Sequence, residues 1–257
     1  MNKITVIGSG NVGATIAYTL TIMGLASEIV MIDVNEEKSL GEALDIRQGI
    51  PFCNPATVRA GSYQDAVDSD IVIITSGLPR KPGQTRLDLA QANVNIMKQI
   101  ATEIVKYAPK ATYVIVSNPV DILTYVFCKT TGIPEKRVIG SGTILDTSRL
   151  RARIAEYYSV NQKNVHAYVL GEHGDSAFVP WSIANISNVP IEDYGSALNK
   201  ANDYPEFDRD EVENYVRKSG ARVIQRKGAT FYAVSISVCH ICKCLLSGID
   251  TTMTVST

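Results

Sequence analysis

ITVI, residues 4–7, runs straight into GSGNVG, residues 8–13, and the chain continues as NVGATIAYTLTIMG with helical spacing. No other stretch limits the fold as strongly. β-branched residues, a glycine-rich turn and an apolar helix in immediate succession are the start of a strand–turn–helix unit. In such a unit Gly8 permits the tight turn, Gly10 lets the backbone come close to an anion, and Gly13 lets the helix pack closely on the strand. The helix N-terminus, where Asn11 and Val12 sit, offers unpaired N–H groups and a partial positive charge, which suits a pyrophosphate. The alternative is a glycine-rich turn with no ligand.

The second strand candidate, EIVMIDV (28–34), favours the ligand. Asp33 closes it about 20 residues after the glycines, where an acid can accept hydrogen bonds from a ribose. Val34 and Asn35 follow, so no cation waits for a 2′-phosphate, and Asp33 would repel one. The expected cofactor is therefore NAD rather than NADP.

TVRAG, DIVIITSG (70–77), TYVIVSN (112–118) and RVIGSGT (137–143) read as further strands, with a long helix at 86–109 stopped by Pro109. Apolar strands with little alternation, separated by helices, imply a parallel sheet covered on both faces. The expected class is α/β: a Rossmann-type doubly wound parallel sheet followed by a second, α+β domain. After a helix at about 146–158 the rhythm changes to short strands and turns, then to a charged, partly helical stretch. The expected domains are 1–143, binding NAD, and 144–257.

Composition excludes several classes. A formal net charge of -1 over 257 residues gives no field to attract nucleic acid or an acidic membrane. No apolar run is long enough to cross a bilayer, and the N-terminus lacks the apolar core of a secretory signal, so a cytoplasmic protein is expected. Five cysteines, an odd number, suit thiols better than a disulfide framework. CHICKC (239–244) hints at a metal site, but it lies in an apolar helical run and no second ligand cluster completes a zinc pattern. No metal is expected.

VSNPVD (116–121), GTILDTSRLR (142–151) and GEHGDS (171–176), in this order after the glycine turn, resemble the lactate/malate dehydrogenase family over essentially the whole chain. The resemblance implies roles for particular residues. His173 matches the acid/base, and Asp146 the carboxylate that orients it. Arg149 matches the arginine that grips the substrate's carboxylate, and Arg86 the one that polarises its carbonyl. Asn118 matches a residue near nicotinamide and carbonyl. Thr230 would line the substrate end, and Val234 would pack near the nicotinamide. Read without the resemblance, Asp146 and Arg149 at i and i+3 fit a helix cap and a surface charge equally well.

The resemblance also implies hydride exchange between NAD and a small 2-hydroxy or 2-oxo acid, in a homodimer or homotetramer. Arg80, in GLPRKPGQTRLDL (77–89), occupies the position that selects the substrate in this family, arginine pairing the second carboxylate of oxaloacetate. Facing the methyl group of pyruvate, a buried Arg80 would lack a partner, at a cost of about 3–5 kcal/mol. Lys81 reads as a solvated loop charge. Against Arg80 stand TRLDL and KGATFYAVS (227–235), which look at least as lactate-like, and Val234 leaves little room for a second carboxylate. The balance expected is malate, with L-lactate the alternative. Family members continue beyond TTMTVST through a strand pair and a helix, so the second domain is expected to be incomplete. An inactive NAD-binding remnant is the rival of another class.

Overall fold

The computed structural model describes residues 2–78, 86–198, 204 and 207–257. These form two compact units, 1–141 with 231–257, and 142–230.

In the first unit, β1 (Lys3–Ile7), α1 (Asn11–Met23), β2 (Glu28–Ile32), α2 (Glu36–Gln48), β3 (Thr57–Ala60), β4 (Ile71–Ile74), α3 (Arg86–Tyr107), β5 (Thr112–Ile115), α4 (Val120–Thr131) and β6 (Val138–Gly140) follow in order. The strands form a parallel sheet in the order β3-β2-β1-β4-β5-β6. Strand order reverses between β1 and β4, so a crevice opens beyond their carboxyl ends, where ligands bind in open sheets of this kind. The expected doubly wound α/β sheet is present.

The apolar strands are buried on both faces. Val30, Ile32, Val72, Ile74, Tyr113 and Ile115 pack with Met97, Ile100 and Ile104 of α3 and with Leu123 and Phe127 of α4. Their alternating neighbours Ile4, Val6, Ile29, Met31, Ile71, Ile73 and Val114 point the other way and are equally buried. Each such side chain contributes about 1.5–3 kcal/mol by leaving water. α1 packs on β1 and against α2.

The second unit holds α5 (Ile144–Tyr157), β7 (Val165–His166), β8 (Asn185–Ile186), β9 (Val189–Pro190), α6 (Tyr194–Ala197) and α7 (Arg209–Lys227). The three short strands pair antiparallel, and α5 packs against α7. Leu150, Ile154, Val165, Val169, Val179, Ile186, Val212 and Val216 form its core.

α8 (Tyr232–Ser247), with the rest of 231–257, clusters with the first unit. The reason is packing on α1: the Ser235 hydroxyl lies 3.3 Å from the Val12 carbonyl oxygen, and the Cys239 Sγ 3.7 Å from that of Ile16. Ser256 extends the sheet by pairing with Gly140, and its hydroxyl donates to the Asp121 carboxylate. Cys239 and Cys242 are core residues of α8, and burial pushes the Cys239 thiol up to about 12. Among the described residues no group of three or more His, Cys, Asp or Glu is placed to hold a metal. None of the described helices is long and apolar enough to cross a membrane.

Candidate active site

The glycine turn sits at the carboxyl end of β1, beside the reversal in strand order. Gly8 adopts φ +103°, a conformation that favours glycine. A Cβ on Gly13 would lie 1.8 Å from the Gly8 carbonyl oxygen, so only glycine allows α1 to come this near. A Cβ on Gly10 would meet nothing within 4 Å among the described residues, which leave the space over the turn open. Among the described residues no side chain caps the N-terminus of α1, where Asn11 and Val12 begin the helix. An uncapped helix end facing open space suits a pyrophosphate.

Asp33 lies just past β2 and is tied to this turn. One carboxylate oxygen accepts the Ser9 N–H at 2.6 Å and the other the Asn35 N–H at 2.9 Å. Each oxygen keeps a lone pair for a ribose hydroxyl. Behind the turn the Ser9 hydroxyl donates to Ser39 of α2 at 3.0 Å, and the Ser39 hydroxyl donates to the Met31 carbonyl at 3.0 Å. Sequence reasoning missed this serine pair, which has no motif of its own. The residues present fit a dinucleotide with a free ribose 2′-hydroxyl.

In the second unit, α5 carries Asp146 on its first turn and Arg149 one turn later. Asp146 is 7% exposed, so its charge needs partners, and it has two. Oδ1 accepts from Arg149 Nη1 at 2.8 Å, while Oδ2 lies 2.5 Å from His173 Nδ1. Asp146 is thus not merely a helix cap, nor is Arg149 a free surface charge. Together they form a cation–carboxylate–imidazole row.

His173 reaches Asp146 because its loop is pinned at both ends. Leu170 and Phe178 exchange backbone hydrogen bonds of 2.9 and 3.0 Å, and Gly171 makes the turn at φ +88°. The segment before it is stitched to α5: the Thr143 hydroxyl donates to the Val169 carbonyl at 2.6 Å, and the Val169 N–H donates to the Thr147 hydroxyl at 2.9 Å. On α7, a Cβ on Gly220 would lie 3.5 Å from Arg149 Nη2, an ordinary contact distance, so Gly220 sits beside the guanidinium. Neither threonine nor Gly220 was singled out from the sequence.

Asn118 is exposed at the carboxyl end of β5, in the first unit. Val234 is half-buried on α8, and Thr230 is half-buried at the end of the second unit. Arg86 opens α3, but its side chain lies outside the described residues, as do Arg80, Lys81 and the bend expected from Pro79, Pro82 and Gly83.

A family model described as lactate/malate dehydrogenase, NAD binding domain, matches residues 2–140, and one described as lactate/malate dehydrogenase, alpha/beta C-terminal domain, matches residues 143–257. The chain is 47% identical over 256 residues to the L-lactate dehydrogenase of a Thermoanaerobacter species, covering 100% of this chain and 82% of that one. It is 48% identical over 255 residues to that of Clostridium botulinum, covering 99% and 80%. Among solved structures, the minor L-lactate dehydrogenase of Enterococcus mundtii superposes with a TM-score of 0.94 at 39% identity, covering 100% of this chain and 81% of that one. These relatives all carry the lactate name, and none of them supports the malate preference expected from Arg80.

Proposed function

Because the chain belongs to the lactate/malate dehydrogenase family, we propose that it is an NAD-dependent L-lactate dehydrogenase, interconverting pyruvate and L-lactate. The observation that carries the proposal is the 2.5 Å contact of His173 with Asp146, which in turn holds Arg149. The relatives' shared name supports pyruvate as the substrate.

When bound, NADH supplies a hydride to the carbonyl carbon of the 2-oxo acid. His173 donates a proton from Nε2 to the carbonyl oxygen and takes it back in the reverse direction. Asp146 engages Nδ1, which fixes the tautomer and favours the charged imidazolium. Arg149 binds the substrate carboxylate and sets the approach of the ketone. Arg86 polarises the carbonyl as negative charge builds on its oxygen. Asn118 and Thr230 line the substrate. Gly8, Gly10, Asn11, Val12 and Gly13 hold the pyrophosphate, and Asp33 the ribose.

Arg80 favours a second reading, malate dehydrogenase, through its capacity to pair a second carboxylate. Oxidation of NADH by the purified protein decides, with kcat/KM compared for pyruvate and oxaloacetate. A preference for pyruvate supports the proposal. A preference for oxaloacetate that disappears in Arg80→Gln replaces it with the second reading. NADH binding with turnover of neither would leave a dinucleotide-binding protein without this activity. Five free thiols support the cytoplasm as the compartment. A homodimer or homotetramer is the assembly proposed, and sedimentation of the purified protein measures it.

A further inference from the structure

We propose that Asn93 is a positioning residue for this reaction, its carboxamide fixing the backbone of Asn118 against the end of β4. The inference rests on the reading of the reaction given above. Asn93 is 3% exposed on α3, on the same buried face as Met97, Ile100 and Ile104. A carboxamide buried there is costly unless its polar atoms are paired.

All of them are engaged. Oδ1 accepts the Leu78 N–H at 2.8 Å, and Nδ2 donates to the carbonyls of Asn118 at 2.8 Å and Leu78 at 3.4 Å. The two bonds to Leu78 copy a strand-to-strand pairing, and the third reaches the chain after β5. Beside them the Ser117 hydroxyl donates to the Ser76 carbonyl at 2.6 Å. The segments leaving β4 and β5 are thus held together at two points. These strands are parallel neighbours, and their carboxyl ends border the crevice where such sheets bind ligands.

The chemistry requires an amide here. An apolar side chain would leave the Leu78 N–H unpaired. A carboxylate would accept that N–H but has no hydrogen for the Asn118 carbonyl. Misplacing a reacting-site residue by about 1 Å costs roughly 100-fold in rate, so loss of this tie reaches catalysis through Asn118 without touching substrate.

The test compares the full chain with Asn93→Ala and Asn93→Asp. It measures melting temperature, NADH affinity, amide hydrogen exchange around Leu78, and kcat and KM for pyruvate. Both variants are expected to fold, to bind NADH as the parent does, and to lose roughly 100-fold in kcat. Exchange at Leu78 is expected to rise in Asn93→Ala and to stay low in Asn93→Asp, which keeps the acceptor and loses only the donor to Asn118. Parental kcat in Asn93→Asp overturns the proposal, as does a loss of NADH binding in step with kcat. If the parent turns over neither pyruvate nor oxaloacetate, the reading of the reaction fails. The clamp is then judged by exchange alone, and unchanged exchange at Leu78 in Asn93→Ala overturns it.

Discussion

Asp146 and His173, separated by 27 positions in the sequence, meet through a 2.5 Å contact between Oδ2 and Nδ1. The contact ties one ring nitrogen of His173 to the carboxylate, and Nε2 is the nitrogen proposed to exchange the proton with the substrate oxygen. His173→Asn is expected to lower kcat by about 10²–10⁴. Asp146→Asn removes the charge that favours the imidazolium and is expected to lower kcat less severely. Both keep parental NADH affinity, which fluorescence titration of the same preparations checks.

Arg149 is both a partner of Asp146 and the proposed holder of the substrate carboxylate. Arg149→Lys keeps the charge and loses the planar fork. KM for pyruvate is expected to rise about 10- to 100-fold, the loss of one charge-assisted hydrogen bond, in steady-state kinetics. A rise in the NADH dissociation constant of the same size would argue against this role.

The glycine turn separates packing from binding. Gly13→Ala drives a methyl group into the Gly8 carbonyl oxygen and is expected to cost at least about 1–3 kcal/mol of stability. Gly10 has φ -73°, which alanine adopts, and the added methyl group meets nothing within 4 Å among the described residues. Gly10→Ala is therefore expected to melt like the parent and to bind NADH more weakly. Thermal denaturation and NADH titration of the two variants test this contrast.

Acid stability is tied to Asp65. The Ser62 backbone N–H first, and then the Arg59 guanidinium, hold its carboxyl well below the ordinary 3.8, at about 2. A depressed folded-state value means the stabilisation is fully present above 3.8 and is lost as pH falls towards 2. The melting temperature of the parent is expected to exceed that of Asp65→Asn above that window, with the gap closing through it. A gap that stays constant to the bottom of the window contradicts this.

What the sequence made legible follows from what is local in it. The glycine turn and Asp33 have fixed spacing along the chain because one strand–turn–helix unit builds them. The alternation of apolar strands and helices likewise reports the parallel sheet directly. The packing partner of α8 was not legible, since an apolar helix face does not say which surface it covers, and here Ser235 and Cys239 meet α1. The contact of His173 with Asp146 came only through resemblance, because it depends on a loop closed by Leu170 and Phe178. Asn93 belongs to no motif and lies between the polar residues Gln91 and Asn95. Its register with Met97, Ile100 and Ile104, seven and eleven positions apart at the far end, was the signal that could have marked it as buried.

Hydride transfer itself is the central claim, and isotope tracing tests it most directly. NADH carrying deuterium at the transferable C4 position is incubated with the protein and pyruvate, and the product is analysed by mass spectrometry and chiral separation. The account predicts L-lactate with deuterium at C2. Absence of lactate, or L-lactate without the label, would contradict it.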